Sequence, residues 1–238
     1  MRHVALLSLA FVLFTSASFA NSLEDAQSAW ARQDYSTVLK QLRPLADHGD
    51  AKADLGLGTM YQKGLGVKQD FVEARKWFVK AADQGNAEAE SNLGFMYQNG
   101  LGVKQDPIAA LKWYRQAAEQ GEVFSENALG ILYHHGDGTK RDDDEAAKWF
   151  RKAAEQGYQS AQEHLGRLYA TGQGVSQDYA EAYYWFSVAA RAEHNHPYLD
   201  REASETHLTP EQIAAVDKRV KEWKAKPLNG TDQSSNPE

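Results

Sequence analysis

Residues 87–122 read AEAESNLGFMYQNGLGVKQDPIAALKWYRQAAEQGE. The first half places Ala89, Leu93, Met96 and Tyr97 at i, i+4, i+7 and i+8, one apolar stripe along a helix. Gly100 ends that helix, because glycine takes the left-handed conformation after a last turn without strain. After a short connection through Gly102 and Val103, Asp106 is an N-cap and Pro107 sits at the first helical position, where its missing N–H costs nothing. Ala110, Trp113, Tyr114, Ala117 and Ala118 then share a second stripe, which Gly121 closes. The unit is an antiparallel helix pair. The small residues Gly94, Ala110 and Ala117 let the helices approach, and Trp113 and Tyr97 are expected to fill the space between them.

The same register recurs every 36 residues: Trp77, Trp113, Trp149 and Trp185, each followed by Phe78, Tyr114, Phe150 or Phe186. Leu57, Leu93, Leu129 and Leu165 align, as do Gly58, Gly94, Gly130 and Gly166, and Tyr61, Tyr97, Tyr133 and Tyr169. A fixed period of this length marks a repeat architecture, because a lone helix pair cannot bury its apolar face and must stack on neighbours. The expected fold is all-α, a right-handed α-solenoid of antiparallel helix pairs with terminal capping helices. Asp70, Asp142 and Asp178 stand where Asp106 does, and Glu73, Glu145 and Glu181 follow them at the third position of a capping box.

Four units span 51–86, 87–122, 123–158 and 159–194. Residues 21–50 read as a degenerate N-terminal pair: Asp34, Ala46 and Gly49 lie 36 before Asp70, Ala82 and Gly85, with Trp30 on the first helix. Residues 195–225 read as a C-terminal capping segment, whose helix opens at Thr209-Pro210 and aligns Ile213, Val216, Val220 and Trp223. Residues 226–238 hold almost no apolar side chains and are expected to be disordered.

Residues 1–20 have the pattern of a secretory leader. Arg2 supplies the positive start, Val4 to Phe14 is uncharged and too short to span a bilayer, and Ser18 and Ala20 are the small residues before a cut at Asn21. Its removal leaves 218 residues and takes the net charge from −7 to −8, with no cysteine anywhere. A negative chain disfavours nucleic acid and anionic membranes, which are bound by clustered Lys and Arg. The expected location is periplasmic or secreted.

The segments LGTMYQKGLGV, LGFMYQNGLGV, LGILYHHGDGT and LGRLYATGQGV, each followed by a D-x-x-x-A-x-x-W-[FY]-x-x-A-A helix, resemble the Sel-one-like repeat family, relatives of tetratricopeptide repeats. The third unit departs at Asp137 and Thr139, which predicts a looser connection, and the fourth ends in Ala192-Glu193 where the others have Gln-Gly. The resemblance implies a non-catalytic scaffold for protein–protein contacts, with the first helix of each pair lining a concave face. Carried over by register, that face holds Leu55, Thr59, Ser91, Phe95, Gln98, Asn99, Asn127, Ile131, His134, His135 and Arg167, with Gln62, Lys63, Glu163, Ala170 and Thr171 beside them. Leu55, Phe95 and Ile131 are either a row of anchors for a partner or ordinary packing against the next helix.

Other chemistries find little support. His134 and His135 are adjacent and point about 100° apart on a helix, so they do not share an ion, and Asp142 already serves as a cap. His194, His196 and His207 read as solvated. Gly64 and Gly66 belong to an interhelix turn, with no strand before them and no Lys-Ser or Lys-Thr after, as a phosphate loop requires. Ser-x-x-Lys, Ser-Asp-Asn, Lys-Thr-Gly and His-Glu-x-x-His are missing from the sequence. No cofactor is expected. The leading expectation is an envelope scaffold for a protein or peptide partner. The alternatives are a secreted factor that engages host proteins, and an enzyme acting on β-lactams or the cell wall.

Overall fold

The computed structural model describes residues 22–191 and 199–226. The expected leader, His194, His196 and all but the first residue of the expected tail lie outside them. Twelve helices are present among the described residues: α1 (22–31), α2 (Tyr35–Asp47), α3 (Ala51–Lys63), α4 (Phe71–Ala82), α5 (Ala87–Asn99), α6 (Pro107–Glu119), α7 (Val123–His135), α8 (Asp143–Glu155), α9 (Gln159–Thr171), α10 (Tyr179–Ala189), α11 (Leu199–Glu205) and α12 (Pro210–Glu222). No strand occurs among the described residues. They divide into two compact units at Gln105/Asp106.

The helix ends follow from local chemistry. Asp70, Asp106 and Asp178 each accept two backbone N–H bonds at the start of α4, α6 and α10, and Asp142 accepts one from Glu145. The glutamates that follow the caps turn elsewhere. Glu73 holds Lys76 at 2.7 Å, Glu145 holds Lys148 at 2.5 Å and Glu181 holds Arg219 at 2.7 Å. The reciprocal capping box forms instead at Thr209 and Gln212, at the head of α12. Gly100 closes α5 at φ 68°, as its position predicts.

The connections are closed by a shared set of bonds. The N–H of three second-helix caps bonds back to a first-helix tyrosine carbonyl, Asp70 to Tyr61, Asp142 to Tyr133 and Asp178 to Tyr169, at 2.9–3.0 Å. The third connection is not looser: it keeps this bond and its left-handed Gly136 and Gly138. Only the side-chain tie differs. Gln105 and Gln177 each donate to a carbonyl of the preceding helix, whereas Arg141 donates to Asp143. Gly138 is required twice over. Its φ is 72°, and a Cβ there would lie 2.4 Å from the carbonyl oxygen of Pro107 at the head of the preceding second helix.

In the first unit, α2 packs on α3, α3 on α4 and α4 on α5. Ala26, Ala29, Val38, Leu42 and Leu45 join Leu57 and Met60 in one cluster, which packs α1 and α2 against α3. In the second unit the order continues from α6 to α10, and α11 and α12 both pack on α10.

The aromatic pair divides its labour differently from the sequence expectation. Phe78, Tyr114 and Phe150 are fully buried, while Trp77, Trp113 and Trp149 are only half-buried. Trp113 and Tyr97 are therefore not the core groups between the helices. The residue after the tryptophan is, because the first helix offers it a glycine. A Cβ on Gly130 would sit 2.5 Å from the Phe150 ring, and one on Gly166 2.7 Å from Phe186. The tryptophans lie at the margin under lysine ammonium groups, Lys80 at 3.9 Å and Lys152 at 4.0 Å from the ring centres. Between successive pairs, Arg151 on α8 donates to the Tyr169 hydroxyl on α9 at 2.7 Å, and Arg115 on α6 to that of Tyr133 on α7.

Candidate functional site

A cleft of about 580 Å³ lies in the second unit, bounded by α7, α8, α9, α10 and α11. Its floor is apolar: Phe150, Leu168 and Phe186, the same groups that the repeat register buries. Its walls carry imidazoles. His164 lies flat on Phe150, ring centres 4.6 Å apart, and His207 lies flat on Tyr179 at 3.9 Å. His134 and His135 reach it from the last turn of α7, where His134 Nδ1 and an Asp143 carboxylate oxygen are 2.7 Å apart. Arg167 stands at the mouth and donates through Nε to Asp200 at 3.0 Å.

The electrostatics follow from burial. Desolvation pushes the His164 imidazole down to about 4, with the positive charge of Arg167 adding to it, so the ring is neutral at physiological pH. Asp143 loses some hydration, yet the hydrogen bonds from Arg141 and His134 hold its carboxyl below the ordinary range. At neutral pH the fixed charges around the cleft are the two Arg–Asp pairs, Arg167–Asp200 and Arg141–Asp143.

Three residues assigned to a partner face from the register, His134, His135 and Arg167, meet in this cleft. Ile131 is half-buried one turn before them. Asn127 is not on an open face: it is buried, and its Oδ1 has no hydrogen-bond partner. Ser91 is likewise buried and presents nothing to solvent. Leu55, Thr59, Ser91, Phe95, Gln98 and Asn99 belong to the first unit. Phe95 is 37% exposed there, a large apolar group open to water. Leu55, Thr59 and Gln98 are half-buried, and Asn99 turns its amide onto the Phe95 carbonyl at 2.8 Å.

Sequence reasoning missed His164, Tyr179, Asp200 and His207 as cleft residues. His164 carried a usable signal, since its register position holds Gly56, Asn92 and Ala128 in the other units and only the fourth has an aromatic ring. Asp200 and His207 carried none, because α11 lies outside the repeat. Also missed was a buried acid at one register position, Asp54, Glu90 and Glu126, with Gln162 in the fourth unit. Its signal was a glutamine 30 residues further on, Gln84 or Gln156, which donates to the acid at 3.2 Å in the first repeat and 2.6 Å in the third. Burial raises the Asp54 carboxyl and pushes that of Glu126 up to about 7, Lys152 and Gln156 pulling the latter back only in part. Glu126 borders a smaller, polar cleft of about 390 Å³ beside Lys152 and the Glu155–Lys226 ion pair, where Lys226 also donates its backbone N–H to the Glu155 carbonyl.

Among the described residues, no group of three or more His, Asp or Glu is placed to hold a metal ion, and no helix is long and apolar enough to cross a membrane.

Comparison with known proteins agrees with this architecture. A crystal structure of a Sel1 repeat protein from Oxalobacter formigenes is 34% identical, with a TM-score of 0.66 over 70% of this chain and 69% of that one. A protective antigen present in uropathogenic Escherichia coli strains, displaying an SLR fold, is 26% identical over 93% of this chain and 66% of that one, with a TM-score of 0.45. Among curated proteins none matches. The Sel1 repeat model matches residues 50–86, 87–122, 123–158 and 159–194, more than half of the sequence. Repeats of this kind are in general protein-interaction scaffolds, typically without catalysis. With its 36-residue helix pairs and no strand among the described residues, the chain belongs to the Sel1 repeat family and to its α-solenoid fold class.

Proposed function

We propose that this chain is an exported, non-catalytic scaffold of the bacterial cell envelope, which holds a partner protein or peptide on the face carried by the first helices of its pairs. The observation that carries the reading is the cleft of the second unit, where His134, His135 and Arg167, chosen by register alone, line one apolar-floored cavity. A cavity of this volume lies within the ~300–1,000 Å³ range of small-ligand and side-chain pockets. Phe95 adds an exposed aromatic of the kind that anchors partners. The leader pattern of Arg2, Val4 to Phe14, Ser18 and Ala20 supports export.

Site-specific photocrosslinking in the native envelope tests this. A probe at position 95 or 131 gives one discrete protein adduct, which a probe at the exposed Lys112 does not. No adduct from either position, or the same adduct from Lys112, overturns the proposal. A purified protein that cleaves peptidoglycan fragments or nitrocefin would overturn its non-catalytic part.

A further inference from the structure

Three features of the second-unit cleft go beyond a generic docking face. The first is an unfilled cation. Arg167 uses only Nε on Asp200, and its two Nη groups have no partner among the described residues. A guanidinium fork left open at the mouth of an apolar cavity is the geometry that takes a carboxylate with two parallel hydrogen bonds. The second is a half-buried imidazole without hydrogen bonds. His164 is neutral and its ring nitrogens have no partner among the described residues, so it offers one donor and one acceptor beside that fork. The third is the shape of the apolar surface. The His164–Phe150 and His207–Tyr179 stacks present flat faces, which suit a planar side chain.

Resting on the scaffold reading above, we propose that this cleft is an end-of-chain pocket: it takes the C-terminal residue of a peptide, with an aromatic side chain on the stacked rings and the terminal carboxylate on the Arg167 fork. Asp200 holds Nε and so orients the guanidinium for that carboxylate. His164 completes the site by hydrogen-bonding the last peptide group. The net charge of −7 repels an acidic partner at long range, so recognition of the carboxylate is local, from Arg167 outward.

Calorimetric titration of the purified protein with the tetrapeptide Gly-Gly-Gly-Phe tests the assignment, against the C-terminal amide of the same peptide and against Gly-Gly-Gly-Ala. The free acid binds. Amidation weakens binding about tenfold, the scale of one hydrogen bond to a charged group. Replacing the terminal aromatic by alanine weakens it by at least as much. In Arg167→Gln, acid and amide bind equally. Ala203→Trp, made at an exposed position of α11 that borders the cleft, fills the cavity and abolishes binding. Circular dichroism shows that variant folded, and the His164 ring nitrogen resonances of the wild type shift on titration. Equal affinity for acid and amide, binding that survives Ala203→Trp, or no binding of the free acid overturns the proposal. An adduct at position 95 or 131 in the envelope together with no peptide binding leaves the scaffold standing and removes the pocket. Peptide binding without any adduct does the reverse.

Discussion

Helices α8 and α10 occupy the same place in successive repeats and carry the same Trp-Phe pair, yet they are buried to different depths. In α8, Phe150 is inside and Trp149 lies half-exposed under Lys152. In α10, every residue from Ala182 to Ala189 is buried, Trp185 included. The neighbours differ too, since α11 and α12 both pack on α10. α12 lays Val216 among buried groups, bonds Tyr183 through Asp217 at 3.3 Å, sets Arg219 over Tyr184 at 4.3 Å and receives Arg191 on the Val220 carbonyl at 2.7 Å. The repeat register decides which aromatic enters the groove of its own first helix. Whether the second aromatic is wet or dry depends on what else packs against the helix.

The sharpest way to break this comparison is the inner ring. Phe150→Ala costs about 3–5 kcal/mol in chemical denaturation, the range for deleting a buried aromatic. A cost no larger than that of Trp149→Ala would invert the assignment. The outer ring sharpens it. Trp185→Ala costs about 3 kcal/mol and Trp149→Ala about 1 kcal/mol, because only the first removes a buried ring and leaves a cavity. Equal costs would mean that Trp185 is no drier than Trp149 in solution.

Closer packing is tested at the glycine. Gly130→Ala sets a methyl 2.5 Å from the Phe150 ring and costs about 1–3 kcal/mol as overpacking. A neutral substitution would show that the ring has room to retreat. The buried acid supplies a pH test. Glu126 is 3% exposed and its folded pKa, about 7, lies above the ordinary 4.5. The folded state therefore holds the proton more tightly than the unfolded one. Its contribution is full below about 4.5 and is lost as pH rises through about 7. Stability measured from pH 4.5 to 8 falls by about 3 kcal/mol on this account, and Glu126→Gln flattens that fall. A variant with an unchanged profile would place the titration elsewhere.

The smallest effect is the one that should be equal in the two helices. Asp142→Ala and Asp178→Ala each cost about 1 kcal/mol, since both caps accept first-turn N–H groups. A marked difference would show that even local capping depends on α12.

The candidate site was legible only in part, for the same reason. His134, His135 and Arg167 sit on first helices at positions that the period exposes, so register alone selects them. It also selected Asn127 and Ser91, which are buried, because side-chain exposure at the flank of a helical stripe depends on how closely the neighbouring helices approach. Asp200 and Ala203 on α11 and His207 in the turn after it lie outside the repeat, and no periodicity announces them.

What the residues determined by themselves is local and periodic. Aspartate and glycine at 36-residue intervals set where helices start and stop, and a first-helix glycine facing an aromatic, Gly58 on Phe78, Gly130 on Phe150 and Gly166 on Phe186, sets how a pair closes. Those effects act within a few turns of chain or between adjacent helices, so they are written in spacing. The cleft, the dry Trp185, the open fork of Arg167 and the high pKa of Glu126 were decided only when distant segments packed. Burial and unpaired hydrogen-bonding capacity are properties of the assembled surface, and α11 and α12 complete that surface from outside the repeat.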